Sequence, residues 1–182
     1  MVEKFRRSAE AAGAEVVESR AGAALAALAR LLRDEGVGTQ GRTAVWPDGP
    51  LQSAFHPGLL EQMLPGVVLD VTRDTAAAAY AGITEFDCGV AATGTLVQDA
   101  SAAAQRLAST LPPLHIALLR ADAIVSSLGD ALRRFDPARM PFLALVTGPS
   151  RTADIERVLT IGVHGPRRLV VLLYEPEGRH GR

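Results

Sequence analysis

The sequence predicts an α/β fold, a mainly parallel sheet with helices on both faces, in one domain over residues 1–182. Three observations point there. Short continuous apolar runs recur along the chain, as strands buried on both faces require. Amphipathic helical patterns lie between them, which is the alternation of a parallel sheet. No linker, internal repeat or shift of composition divides the chain.

The elements follow in order. Residues 21–34 place Leu25, Leu28, Leu31 and Leu32 on one stripe, leave Arg30, Arg33 and Asp34 outside it, and end at Gly36; this predicts a helix. Residues 43–46 read as a buried strand stopped by Pro47. Residues 67–71 read as a second strand, bracketed by Pro65-Gly66 and a polar turn. Residues 74–80 are Ala-rich and helix-prone, with Asp74 placed to favour the N-terminal dipole. Residues 87–98 are Gly- and Thr-rich and alternate poorly, so they are expected as a strand pair or a turn projecting from the sheet edge.

The second half repeats the rhythm. Residues 114–119 predict a strand after Pro112-Pro113. Residues 121–135 predict a helix with Ile124, Val125, Leu128, Leu132 and Phe135 inward. Residues 142–146 predict a strand opening into Thr147-Gly148-Pro149-Ser150, then a short helix from about 152 to 159. Residues 169–173 form the closing strand, and the polar tail from Glu175 is expected to fray.

Composition excludes several functions. Hydrophobic residues make up 48% and charged residues 21%, an ordinary globular balance, while only 4% are aromatic, so Ala, Val, Leu and Ile must build the core. Nineteen basic residues face twenty acidic ones, which argues against nucleic acid as a partner. Cys88 is the only cysteine, so the chain supplies neither an internal disulfide nor the thiolates of an iron–sulfur or four-thiolate zinc site. No apolar run is long enough to span a membrane, and the first residues lack a secretory pattern; a cytoplasmic location is expected.

Three segments put Gly, hydroxyl and charged residues beside buried strands. In Thr147-Gly148-Pro149-Ser150-Arg151-Thr152 a strand meets a tight turn and an expected helix start, where main-chain N–H groups, hydroxyls and a guanidinium would hold an anion. The plainer reading makes Ser150 or Thr152 a helix cap and Asp154 a complement to the dipole, which leaves Arg151 unexplained. In Thr93-Gly94-Thr95 two hydroxyls flank a glycine that either admits a ligand or shapes a β-turn or bulge. In Gly162-Val163-His164-Gly165-Pro166, His164 is the candidate for proton transfer, against a turn histidine satisfied by backbone. Cys88 reads as a small buried side chain and His115 as a packed strand residue. His56, His115 and His180 lack ligand spacing to one another, so no metal is expected. The standard Gly-rich nucleotide motifs and the nucleophile elbow are absent.

These segments, with Gly82-Ile83-Thr84 before them and Leu111 to Ile116 between, resemble the lactate utilization (LUD) domain family that includes lactate utilization protein C. The resemblance runs from about Ala79 to Tyr174 and is most specific in residues 147–156 and 162–166. It implies a fold similar to the NagB/RpiA/CoA-transferase-like group. It also implies a part in oxidising L-lactate to pyruvate beside two iron–sulfur partner proteins, with no cofactor in this chain. Many relatives carry Glu where this sequence has Ala92, and the portion before Ala21 looks short for the family.

The leading expectation is therefore a subunit of lactate oxidation that binds a small carboxylate or phosphate. The residues expected around it are Thr93, Gly94, Thr95, Gly148, Ser150, Arg151, Thr152, Asp154, His164 and Gly165. One alternative is a free-standing enzyme of the sugar-phosphate isomerase or CoA-transferase type, which would need a base from among Asp87, Asp154, Glu156 and His164. The other is an assembly module without ligand chemistry, marked by a large apolar surface.

Overall fold

The computed structural model describes residues 1–136, 138–153, 159–161 and 165–176. The chain opens with helix α1 (Val2–Ala11) and strand β1 (Glu15–Ser19), two elements too sparse in apolar residues for their pattern to mark. Next come α2 (Ala24–Asp34), β2 (Ala44–Val45), α3 (Pro57–Met63), β3 (Val67–Val68), α4 (Arg73–Ala78) and β4 (Ala81–Phe86). The hairpin β5 (Cys88–Val90) and β6 (Thr95–Asp99) leads to α5 (Ala103–Thr110) and β7 (Leu114–Arg120). The remainder holds β8 (Ile124–Val125), α6 (Leu128–Leu132), β9 (Leu143–Val146), β10 (Arg151–Ala153), β11 (Leu159–Ile161) and β12 (Arg168–Tyr174).

Six strands form one sheet in the order β1-β12-β7-β4-β2-β3. Every pairing in it is parallel, so the predicted fold class holds. The register of β7 on β12 runs from Leu114 opposite Arg168 to Arg120 opposite Tyr174, which makes these two the long central strands. On one face, Leu25, Leu28 and Leu32 of α2 pack against Trp46, Ile83, Ile116, Leu118 and Leu172. On the other, Phe5 and Ala9 of α1 meet Ala117, Leu119, Val171 and Leu173. Full burial of a Leu or Phe side chain contributes about 1.5–3 kcal/mol, so the two faces hold the sheet through many modest terms. Beside α1, Val45 is covered by Ala76 of α4 and Ala108 of α5.

The same face as α1 carries a second sheet of four strands, ordered β8-β5-β6-β9. It contains the strand pair expected in residues 87–98, with Cys88–Val90 antiparallel to Thr95–Val97. It also claims the strand expected at 142–146, since β9 runs antiparallel to β6 and not within the parallel sheet. The strand expected at 67–71 is only Val67–Val68 long.

Two predicted helices are corrected. Residues 121–135 are not one helix. Ile124 and Val125 pair in parallel with Gly89 and Val90, where β-branched side chains favour extended backbone over helix. The helix restarts only at α6, where Ser127 and Asp130 form a capping box. Leu128 and Leu132, expected inward, are 40% and 45% exposed. The helix expected from about 152 to 159 is replaced at both ends by strand, Arg151–Ala153 pairing antiparallel with Leu159–Ile161. Residues 154–158 and the tail 177–182 lie outside the described residues.

Candidate functional site

The Thr147–Ser150 turn follows β9, so the small four-stranded sheet presents it. Thr147, Gly148, Pro149 and Ser150 line a cavity of about 370 Å³, joined by Gly165 and Pro166 from the other side and by His115 from β7. Two of the three expected segments therefore converge. Their junction is tight: the Ser150 N–H donates to the Pro166 carbonyl at 2.9 Å. A Cβ on Gly165 would stand 2.9 Å from the Ser150 Cβ, closer than two such carbons approach. The Ser150 hydroxyl has no protein partner among the described residues.

The Thr93–Thr95 turn touches this arrangement without lining the cavity. Thr93 and Thr95 share a hydrogen bond of 2.7 Å, and Thr95 and Thr147 share one of 2.8 Å. This chain of hydroxyls fixes the Thr147 turn against β6. The glycines of both turns are also required by the packing of α1. Gly94 and Gly148 both have φ of 69°, a left-handed conformation that other residues adopt only under strain. A Cβ on Gly94 would lie 2.3 Å from the Ala9 nitrogen, and one on Gly148 would lie 2.2 Å from the Ala12 carbonyl oxygen. The last turn of α1 fills the space that the missing side chains leave. Ser8 adds a hydrogen bond from its hydroxyl to the Ala91 carbonyl at 3.0 Å. Ala92, where many relatives were expected to carry Glu, is exposed.

Arg151 and Thr152 lie on β10, so no helix begins at this turn and a helix dipole cannot serve an anion there. Asp154 and His164 lie outside the described residues. His115 and Leu169 stand at the amino ends of β7 and β12, so the cavity opens at the amino edge of the parallel sheet. Open α/β sheets more commonly bind ligands beyond their strand carboxyl ends, which here is the opposite edge.

His115 is the one cavity residue with a strongly shifted proton affinity. Its Nε2 shares a 2.8 Å hydrogen bond with the Thr84 hydroxyl, and burial pushes its pKa down to about 4. At neutral pH it presents a neutral imidazole, able to exchange a hydrogen bond but not to supply positive charge. Cys88 is fully buried and burial pushes its thiol pKa up, so it is not a poised nucleophile. Among the described residues no group of His, Cys, Asp and Glu is arranged to hold a metal ion. No described helix is long and apolar enough to cross a membrane.

The carboxyl edge of the parallel sheet gathers a second set of polar residues. Glu85, one residue before the end of β4, and Arg120 and Tyr174, which end β7 and β12, line a polar cavity of about 330 Å³ with Asp87 and Asp122. Asp87 was weighed as a base, and the others carry no motif. Their signal in the sequence is weak but present: each is a polar or charged residue at or near the end of an apolar run. Burial raises the Glu85 carboxyl above its ordinary value, opposed by hydrogen bonds from the Leu51 and Gln52 N–H groups. Those two N–H groups donate to it at 2.6 and 3.0 Å.

With the geometry in view, the chain can be set beside known proteins. Uncharacterized protein YkgG of Escherichia coli is 31% identical over 169 residues, covering 87% of this chain and 71% of that protein. Lactate utilization protein C of Shouchella clausii is 31% identical over 157 residues, 78% of this chain and 67% of its own length. Lactate utilization protein C of Exiguobacterium is 34% identical over 110 residues, 57% of this chain and 48% of its own. The chain spans about half the length of several relatives it matches. The crystal structure of a DUF162 family protein from Deinococcus radiodurans shares the fold, with a TM-score of 0.66 over 95% of both chains at 22% identity. The pattern of the LUD domain matches residues 2–174, taking in α1, both turns packed on it and every strand of the parallel sheet, and the chain belongs to the LUD domain family.

Proposed function

We propose that this chain works in lactate utilization, as a subunit without a cluster of its own beside iron–sulfur partner proteins. In this reading it holds a small carboxylate or phosphate in the cavity bounded by Thr147, Gly148, Ser150 and Gly165. The observation that supports it is the meeting of the Thr147–Ser150 turn with Gly165 and Pro166 around one cavity, where the Ser150 hydroxyl has no partner among the described residues. Relatives named for lactate utilization supply the pathway, and the single cysteine explains the division of labour, because a cluster needs more thiolates than this chain has. Arg151, the next residue along, is the charge assigned to the anion.

The test is lactate-dependent dye reduction by the iron–sulfur partners, with and without the purified chain. Activity that appears only when the chain is added is the expected outcome. Equal activity without it, or turnover of a small metabolite by the chain alone, overturns the subunit reading. In parallel, Ser150→Ala and Arg151→Ala should each weaken binding of lactate, pyruvate or phosphate by about 1 kcal/mol or more. Unchanged titrations would remove the anion site.

A further inference from the structure

The carboxyl edge of the parallel sheet holds a second cleft. In an open sheet, neighbouring strands whose connections leave in opposite directions part their loops and leave a crevice at their carboxyl ends. β2 and β4 are such a pair: the chain leaves β2 for β3 on the outside, and leaves β4 toward β7 on the inside. Glu85 fixes the loop after β2 through its two main-chain donors, and a Cβ on Gly49 would come within 2.4 Å of its Oε1. Two cavities, of about 260 and about 330 Å³, share Pro50, Arg120 and Tyr174 as a common wall. One is walled by Leu25, Leu51 and Phe55. The other is walled by Asp87, Asp122 and Arg134.

The charges in the polar half are not equally spent. Glu85 is committed to the loop. Arg120 and Asp122 pair with each other through two contacts, at 2.6 and 3.0 Å. The Asp87 Oδ2 accepts from the Asp99 N–H at 2.7 Å, and the exposed Asp87 side chain has its carboxyl raised by partial burial and by the neighbouring Asp99 charge. Arg134 makes no direct ion pair among the described residues; its guanidinium donates to the Ala123 carbonyl at 3.3 Å, and its charge adds a minor share to the lowering of the Asp122 carboxyl that Arg120 dominates. Tyr174 is 8% exposed, and its hydroxyl has no hydrogen-bond partner among the described residues. A guanidinium and a carboxylate that line one small cavity without pairing suit a ligand that is anionic at one end and a donor at the other. A plain anion would meet Asp87, and a plain cation would meet Arg134.

We propose that this cleft binds a small carboxylate bearing a hydrogen-bond donor on the neighbouring carbon. Arg134 takes the carboxylate, Asp87 accepts from the donor, and Tyr174 hydrogen-bonds to either. The donor is a hydroxyl, as in a 2-hydroxy acid, or an ammonium, as in an amino acid. The site stands apart from the Ser150 cavity and does not depend on it.

An NMR titration of the full chain with L-lactate, L-alanine and propionate tests the proposal. Lactate or alanine should shift the amides around Asp87, Arg120 and Tyr174. Propionate, which lacks the donor, should bind about tenfold more weakly or less. Asp87→Asn and Arg134→Gln should each weaken binding about tenfold or more, while Ser150→Ala leaves these shifts unchanged. Preference for lactate assigns a hydroxyl, and preference for alanine an ammonium. Both substituted side chains are exposed, and Arg134→Lys keeps the charge as a control for folding. Propionate binding as well as the other two, affinity unchanged in both variants, or no shift at the cleft overturns the proposal. A response lost only in Ser150→Ala assigns all the binding to the other cavity and overturns this site alone.

Discussion

His115 shows how one buried side chain couples the fold to pH. It is 2% exposed, shares a hydrogen bond with Thr84, and has its ring centroid 5.8 Å from that of Phe86. An unfolded histidine titrates near 6.5, and burial moves this one to about 4. Between those values the unfolded chain binds a proton that the folded chain refuses, so this contribution to stability is complete above about pH 6.5 and is lost as pH falls toward 4. The full difference is roughly 3 kcal/mol. Urea unfolding midpoints at pH 7.5 and 4.5 should show that loss, and His115→Gln should flatten it. An equal slope in the variant would place the effect elsewhere. Gly94 and Gly148 carry a different lesson. A glycine beside hydroxyl residues reads in sequence as an approach for ligand, whereas here the main chain of α1 takes the space. The sequence shows that a close approach is needed and is silent on who approaches.

Helix α1 is the element that local pattern missed and the fold most uses. Only Val2, Phe5 and Ala9 mark its inner stripe, and charged residues fill the rest. Yet Phe5 is fully buried between the two sheets, near Leu119 and Gly89. Phe5→Ala should cost about 3–5 kcal/mol, the range for truncating a buried phenylalanine, and should loosen the turns at Gly94 and Gly148 with it. Thermal unfolding measures the first effect and amide shifts at Thr95 and Thr147 the second; a loss under 1 kcal/mol would mean that α1 merely rests on the sheets. The β8–α6 stretch illustrates the opposite error. Its apolar residues match helical spacing, but Ile124 and Val125 gain more from a strand partner in Gly89–Val90 than from continuing a helix. Periodicity over a short window cannot see that partner.

For the whole molecule, the sheet order dictates both where the chain is most stable and where it can bind. β7 lies between β4 and β12 and is paired along its length on both sides. Amides of Leu114–Leu119 should therefore exchange most slowly, with β1 and β3 at the sheet edges faster by about a hundredfold or more. Slow exchange confined to the small sheet would contradict this hierarchy. The same order puts the Ser150 cavity at one edge of the parallel sheet and the Asp87–Arg134 cleft at the other, so binding at each can be altered by substitutions that spare its counterpart. Apolar runs and amphipathic stripes were legible in the sequence by themselves: they determined a parallel α/β sheet with α2 on one face, because burial demands those local patterns whatever the partners. Turn residues at 93–95 and 147–150 were legible too, as places of tight backbone. The small second sheet, the clamp of α1 on those turns, the conversion of residues 151–153 to strand and the cleft at the carboxyl edge were decided only in the tertiary structure. Each depends on pairing between segments distant in the chain, whose gain in burial and hydrogen bonding outweighs local preference and leaves no periodic trace in either segment.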